Sequence, residues 1–248
     1  MFIEFEQLSN ARELGGLPAA EGRRVKSGVL LRTAKLSKLS EADTARLAGE
    51  FGVKHIFDFR DAVEFRRDPD REVPGAQLHS LPVLPGLPGE SNEDFLRVTP
   101  ERVTELMQGV YRTMAESDAS AGAYRTFFRV LLASGGPAVL WHCTQGKDRT
   151  GVAALLLLTA LGVPEEAAIE EYYLSNVPMG RRLEQLRDAG KSPEELAVME
   201  RLLLVTPECL EEYLSRVQAQ FGGLEGYLRR RLGLTDADFA ALRAWYTE

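Results

Sequence analysis

The chain has 248 residues, a formal net charge of −7 and an isoelectric point near 5.2. Its 44% of apolar and 27% of charged residues are typical of a globular domain with a substantial core. The acidic balance excludes a general nucleic-acid-binding surface, so we expect no nucleic-acid partner. It also gives no overall attraction to anionic membranes.

Features of the chain that report on cellular location favour a reducing compartment. Cys143 and Cys209 are too few for a disulfide framework in a chain of this length. Residues 1–7 have no basic lead and no long apolar run. The longest apolar stretch, 152–161, is shorter than the roughly 20 residues that span a bilayer. We therefore expect a cytoplasmic protein without an integral membrane segment, with secretion by an unrecognised route left open.

Strand signals lie mostly in the first 142 residues. A helix opened by a Ser40–Asp43 capping box is predicted to run to about Glu50, between the first two strands. The Gly/Pro pairings of residues 84–92 predict a loop. Apolar runs bounded by Gly, Pro or charged residues predict four short strands, over Val29–Leu31, Lys54–Phe59, Gln77–Val83 and Ala138–His142.

The remainder of the chain has helical patterns. Residues 100–135 predict two helices divided near 117–120, and the helix over 150–161 is apolar on nearly every face, which is typical of a buried central helix. We expect one α/β domain over 1–248, with a central mixed, mostly parallel sheet of four or five strands, helices on both faces and a helical C-terminal portion. Breaks in that portion are expected at Pro164, Pro193, Pro207 and Gly222–Gly223.

The segment 141–151 carries the clearest chemical signal. It joins the end of a buried strand to the start of a buried helix, and five residues separate Cys143 from Arg149. Unpaired N–H groups at a helix N-terminus favour an anion, and Arg149 adds a planar fork for two phosphate oxygens. Gly146 allows a backbone conformation that other residues resist. We therefore predict a phosphate-binding loop formed by Arg149 and by Thr144, Gln145, Gly146 and Lys147.

The same loop contains groups suited to phosphate transfer. The positive field favours the thiolate of Cys143, which would be a nucleophile for in-line attack. Asp148 is placed to protonate the leaving oxygen and then to activate water. Thr150 is placed to donate a hydrogen bond to the departing sulfur, and Lys147 adds a second positive charge for substrates with more than one phosphate.

These motifs resemble the protein tyrosine phosphatase superfamily. The string from His142 to Gly151 is similar to the loop of its bacterial and fungal tyrosine/lipid phosphatase branch. Weaker similarities extend the resemblance over most of the chain, at Asn10–Gly16, where Glu13 replaces the usual Asp, at Ser27–Ser40, at Asp58–Arg60 with Glu64, at Tyr172–Asn176 and at Tyr227–Leu234.

The resemblance implies cysteine-dependent hydrolysis of phosphate monoesters, with Asp148 as general acid and no metal or other cofactor. Asp58 would be a second acidic group, orienting Arg149 or sharing the acid role. A plain ion pair between Asp58 and Arg60 is the equal alternative. Some relatives have a helical lid, so residues 176–206 are either a lid over the loop or ordinary packed helices.

Other kinds of site and function have less support in the sequence. Three histidines and two scattered cysteines do not make a zinc site around His142, and residues 141–148 fail the Walker pattern. Cys209 has no signal beyond packing. A non-catalytic phosphate-binding module of the same fold remains the alternative function. The substrate stays open among phosphotyrosine, phosphoserine or phosphothreonine proteins and phosphoinositides.

Overall fold

The computed structural model describes residues 1–86 and 98–248. Its centre is a five-stranded sheet of order β1-β2-β5-β3-β4, in which β1 runs antiparallel to β2 and the other neighbours are parallel. The strands are β1 (Arg12–Glu13), β2 (Leu30–Thr33), β3 (His55–Asp58), β4 (Gln77–Ser80) and β5 (Val139–His142). The predicted α/β class and mostly parallel sheet are confirmed.

Helices cover both faces of this sheet. The helices of the described residues are α1 (Glu41–Ala45, continuing as a wider turn over Arg46–Glu50), α2 (Ala62–Arg67), α3 (Pro100–Glu116), α4 (Asp118–Ser134), α5 (Asp148–Leu161), α6 (Glu165–Tyr173), α7 (Asn176–Asp188), α8 (Pro193–Leu203), α9 (Pro207–Phe221), α10 (Leu224–Tyr227, continuing over Leu228–Leu232) and α11 (Asp236–Tyr246). None of them is long and apolar enough to cross a bilayer.

The central strands β2, β3 and β5 bury side chains on both faces because successive residues point in opposite directions, whereas the edge strand β4 is largely exposed. In β5, Val139 and Trp141 face the larger core cluster, which includes the helix α5. Leu140 faces a smaller cluster, formed with Leu47 of the α1 region and the N-terminal segment. Helix α5 is buried along almost its whole length, as its all-round apolar sequence predicts. The C-terminal end of β5 and the start of α5 are therefore fixed by the core.

The main differences from the sequence predictions lie at element ends. The two-residue edge strand β1 was not predicted, and β4 ends at Ser80 rather than Val83. The capping box at α1 is only half formed, because Ser40 accepts from the Asp43 N–H while the Asp43 carboxylate accepts from residues 6 and 7. Only residues 84–86 of the predicted 84–92 loop lie within the described residues.

Candidate active site

The loop between β5 and α5 brings the predicted nucleophile and arginine to one end of the sheet. Cys143 follows the last residue of β5 and is buried, and Arg149 lies in the first turn of α5. Two buried side chains fix this turn, since Trp141 Nε1 donates to the Thr150 carbonyl at 3.1 Å and the Tyr124 hydroxyl to the Arg149 carbonyl at 3.1 Å. The helix N-terminus is thus held at a set distance from the strand end.

Two glycines allow close approach around the loop. Gly146 has φ +68°, and a Cβ there would lie 2.3 Å from the Thr33 carbonyl oxygen, so both conformation and space require glycine. A Cβ on Gly151 would lie 2.5 Å from the ring of Tyr172. The missing side chain therefore lets Tyr172 pack directly on the first turn of α5.

Buried side chains donate hydrogen bonds to the carbonyl groups of the loop. Asn10 Nδ2 donates to the carbonyls of Gln145 and Gly146, both at 3.0 Å. Arg32 Nη2 donates to the carbonyls of Gly146 at 2.9 Å and Lys147 at 3.3 Å. In a trans peptide the N–H points away from the carbonyl of the same unit. This arrangement directs the following N–H groups to the opposite side, where an anion would bind.

Beneath these donors lies a buried ion-pair triad. Glu171 of α6 accepts from Arg12 Nε at 2.6 Å and from Arg32 Nη1 at 2.7 Å, and both arginines are fully buried. Burial raises the pKa of Glu171, but the charges of Arg32 and Arg12 outweigh burial and the net shift is downward. Burial and the neighbouring Arg32 lower the pKa of Arg12 to about 10. The triad ties β1, β2 and α6 to the loop.

Arg149 is held by Glu64 rather than by Asp58. Glu64 accepts from Arg149 Nη1 at 2.5 Å and from Nη2 at 2.7 Å, and it also accepts from the Thr144 hydroxyl. An Asp61–Glu64 capping box at the start of α2 fixes the carboxylate. Burial raises the pKa of Glu64, but the hydrogen bonds and charge of Arg149 outweigh it and lower the pKa to about 2. Glu64 is therefore an anion at neutral pH.

Asp58 belongs to a separate buried cluster. Arg60 donates from Nε and Nη2 to Asp58, and Nη2 also lies 2.8 Å from Asp70. His142 Nε2 lies 3.0 Å from Asp70. The structure thus contains the Asp58–Arg60 ion pair that was the alternative to an active-site role for Asp58. Asp58, Asp70 and His142 are close enough to share a metal ion, but Arg60 already bridges the two carboxylates.

Asp148 has its own set of partners at the start of α5. The Tyr111 hydroxyl donates to Asp148 Oδ1 at 2.5 Å, and the same hydroxyl bonds to the hydroxyl of Tyr172. Lys147 Nζ lies 3.0 Å from Oδ1 and 2.9 Å from Oδ2. The Lys147 side chain is buried, so its charge is directed at Asp148 rather than at open solvent.

The remaining predicted residues lie nearby or in the helical region. Thr150 Oγ1 is buried and has no hydrogen-bond partner within residues 1–86 and 98–248. Cys209, on α9, is buried, and burial raises the pKa of its thiol. Residues 176–206 form α7 and α8, and α8 contacts α3. Asn176 and Val205 join the two ends of this segment through paired hydrogen bonds of 3.0 and 2.8 Å.

Sequence reasoning did not assign roles to several of these residues. Glu64, Asn10 and Arg12 lie in the motifs that carry the family resemblance, but the sequence did not predict that they support the phosphate-binding loop. The Asp-x-x-Glu spacing at 61–64 is a capping-box signal that fixes Glu64 at a helix start. Arg32, a charge inside a buried strand, was a further signal of an internal partner. The sequence around Tyr111 and Asp70 contains no signal that either residue contacts the site.

The chain is similar in sequence to known proteins. Residues 3–248 match the model of the tyrosine phosphatase family. A Cupriavidus necator protein named "Putative tyrosine-protein phosphatase" is 36% identical, over 98% of this chain and 88% of that protein. The triple specificity protein phosphatase PtpB of Mycobacterium tuberculosis is 30% identical, over 83% of this chain and 86% of its own.

A third relative is more distant. The tyrosine-protein phosphatase of Nostoc commune is 27% identical, over 91% of this chain and 76% of its own. The family match covers nearly the entire chain, and its members share the phosphatase name. The chain therefore belongs to the tyrosine phosphatase family.

Proposed function

We propose that this phosphatase hydrolyses phosphate monoesters through a phospho-cysteine intermediate on Cys143. The observation that carries the proposal is the position of Cys143 and Arg149 at the two ends of one loop, with Arg149 held by Glu64. Nη2 of Arg149 also donates to the Thr144 hydroxyl oxygen at 3.4 Å, whereas the second N–H of Nη1 has no acceptor among the described residues and remains for a phosphoryl oxygen. The N–H groups of residues 144–150 would bind the other equatorial oxygens.

The first step transfers the phosphoryl group to sulfur. The Cys143 thiolate forms the S–P bond while the bond from phosphorus to the leaving oxygen breaks, and Asp148 gives its proton to that oxygen. Arg149 and the loop amides stabilise the charge on the equatorial oxygens. The products of this step are the dephosphorylated alcohol or phenol and phospho-Cys143.

The second step regenerates the enzyme. Asp148, now ionised, accepts a proton from water as the water oxygen attacks phosphorus, and the S–P bond breaks to release inorganic phosphate. Thr150, a buried hydroxyl without a partner in the described chain, would donate to the departing sulfur. The Lys147 ammonium, which is paired with Asp148, would stabilise the carboxylate that forms in the first step.

The substrate class is proposed from the relatives and from the resemblance of the loop. One relative is named a triple specificity protein phosphatase, which supports phosphotyrosine as well as phosphoserine and phosphothreonine proteins. Phosphoinositides are proposed from the resemblance of the loop to the tyrosine/lipid phosphatase branch; the buried Lys147 ammonium is paired with Asp148 and does not add to that argument. A panel of the three phosphopeptides and of mono- and bis-phosphorylated inositol lipids would rank them by kcat/KM.

The nucleophile is tested by replacing each cysteine in turn. Cys143→Ser should abolish turnover of an aryl phosphate while phosphate or vanadate still binds, because the loop amides and Arg149 remain. Cys209→Ser, the matched control, should keep wild-type turnover. Turnover by Cys143→Ser would refute the intermediate. If the wild type binds phosphate but turns over nothing in the panel, the chain is a phosphate-binding module instead.

We also propose that α7 and α8 form a lid over the loop. Few of their side chains are buried, namely Met179, Val198 and Leu203, whereas almost all of α5 is buried. Weakly packed helices open at low free-energy cost. Hydrogen exchange of residues 176–206 should slow when vanadate binds, and equal protection with and without vanadate would contradict the lid.

A further inference from the structure

Two buried tyrosines form a hydrogen-bonded chain that ends on the carboxylate of Asp148. Tyr111 comes from α3 and Tyr172 from α6, and both side chains are fully buried. Within the described residues, Asp148 and the two hydroxyls themselves are their only hydrogen-bond partners. A buried hydroxyl loses its bonds to water and must recover them inside the protein. Here the hydrogen bonds of both hydroxyls form one chain, which ends at the carboxylate of Asp148.

Both hydroxyls keep their protons. Burial, followed by the negative charge of Asp148, raises the pKa of Tyr111 well above its ordinary value. Burial and Asp148 do the same for Tyr172. Each group is therefore a neutral hydroxyl that can donate one hydrogen bond and accept another. Since Tyr111 donates to Asp148, the hydroxyl of Tyr172 donates to Tyr111.

We infer that Tyr111, supported by Tyr172, is the positioning residue of the general acid Asp148. The inference rests on the proposed function and extends it. Tyr111 binds Oδ1 alone, so Oδ2, which lies 2.9 Å from Lys147 Nζ, is the oxygen that carries the proton to the leaving oxygen. Oδ1 accepts a hydrogen bond in the acid and in the carboxylate alike, so the orientation is kept through the transfer.

The same bond favours the proton transfer itself. When Oδ2 loses its proton to the leaving oxygen, negative charge spreads over both oxygens of Asp148. The bond from Tyr111 then becomes charge-assisted, and such bonds are about twice as strong as neutral ones. The bond therefore strengthens in the transition state, which is the condition for acceleration.

The other groups near Asp148 do not replace this contact. Lys147 approaches both oxygens, at 3.0 and 2.9 Å, and does not distinguish them. Arg149 donates its hydrogen bonds to Glu64 rather than to Asp148. The charge of Asp148 contributes to the raised pKa of the Cys209 thiol, but the two groups form no hydrogen bond in the described residues. Without the Tyr111 hydroxyl, Lys147 would hold Asp148 through either oxygen, and the acid would lose its fixed orientation.

The experiment measures dependence on the leaving group. Wild type, Tyr111→Phe and Tyr172→Phe would be assayed on 4-nitrophenyl phosphate, phenyl phosphate and a phosphoserine peptide. Nitrophenolate departs readily without a proton, whereas the serine alkoxide requires one. Tyr111→Phe should lose less than about 3-fold in kcat/KM on the nitrophenyl ester and about 10-fold or more on phosphoserine, which is part of the roughly 10²–10⁴ that general acids contribute. The ratio kcat/KM is compared because it covers only the steps up to phosphoryl transfer, whereas hydrolysis of phospho-Cys143 is common to all three substrates. Tyr172→Phe should show a smaller loss of the same pattern.

Two reference variants fix the scale. Asp148→Asn gives the leaving-group dependence of an enzyme without its acid, and Tyr111→Phe should lie between it and wild type. Tyr213→Phe, a buried tyrosine on α9 that packs on Tyr227, should match wild type on all three substrates.

A loss in kcat/KM that is equal on all three substrates would mean that Tyr111 only packs, and it would overturn the inference, as would no loss at all. If Tyr111→Phe fails to fold, the pattern of Tyr172→Phe decides in the same way. The Cys143→Ser variant distinguishes a failure of the positioning role from a failure of the proposed function. If Cys143→Ser is inactive and the loss in Tyr111→Phe does not depend on the leaving group, only the positioning role is refuted. If Cys143→Ser is active, the proposed function itself is refuted.

Discussion

Removing the carboxylate of Glu171 should destabilise the protein strongly. Glu171 is the only anion paired with Arg12 and Arg32 among the described residues, and both guanidinium groups are fully buried. Glu171→Ala leaves two like charges in the interior without compensation. Breaking a buried pair in this way costs about 3–5 kcal/mol, a large share of the roughly 5–15 kcal/mol of a typical domain.

The shape of the side chain is separated from its charge by a second variant. Glu171→Gln keeps the volume but supplies a neutral amide, so it should recover only a small part of the loss. Glu50→Ala is the surface control, because the Arg46–Glu50 pair is exposed and pairs of that kind contribute about 1 kcal/mol or less.

The assay is urea unfolding at neutral pH, followed by circular dichroism and extrapolated to water. Phosphate affinity of the folded variants is measured in parallel, since Arg32 also binds two carbonyls of the loop. We expect Glu171→Ala to weaken both. A free-energy change as small as that of Glu50→Ala would refute the reasoning that loss of Glu171 leaves the buried charges of Arg12 and Arg32 uncompensated.

Two further predictions concern the loop itself. The pKa of Glu64 falls from 4.5 to about 2 on folding, so its pairing with Arg149 stabilises the protein above pH 4.5, by at most about 3 kcal/mol. This stabilisation is lost as the pH falls towards 2. The unfolding free energies of wild type and Glu64→Gln should therefore converge between pH 4.5 and about 2, and parallel curves would contradict the pairing. Gly146→Ala should destabilise the protein more than Gly75→Ala, because both glycines have positive φ but only at Gly146 would the Cβ meet the Thr33 carbonyl, and equal losses in thermal unfolding would remove the steric argument.

The sequence by itself determined the elements that depend on neighbouring residues. The phosphate-binding loop is contiguous, so the spacing of Cys143 and Arg149 and the apolar helix after them were readable without a structure. The strands around the loop were found because buried strands are short apolar runs bounded by breakers. The edge strand β1 was missed because two residues, one of them a buried arginine, give no such pattern.

Only the tertiary structure decided which charged groups meet. Asp58 and Glu64 lie six residues apart, and the start of α2 determines that Glu64 reaches Arg149 while Asp58 pairs with Arg60. Glu171 lies 159 residues from Arg12 in sequence, and Tyr111 lies 37 residues from Asp148. The pairing of such groups follows from how the strands and helices pack. A buried charge must find a partner, but its own sequence neighbourhood does not say which one.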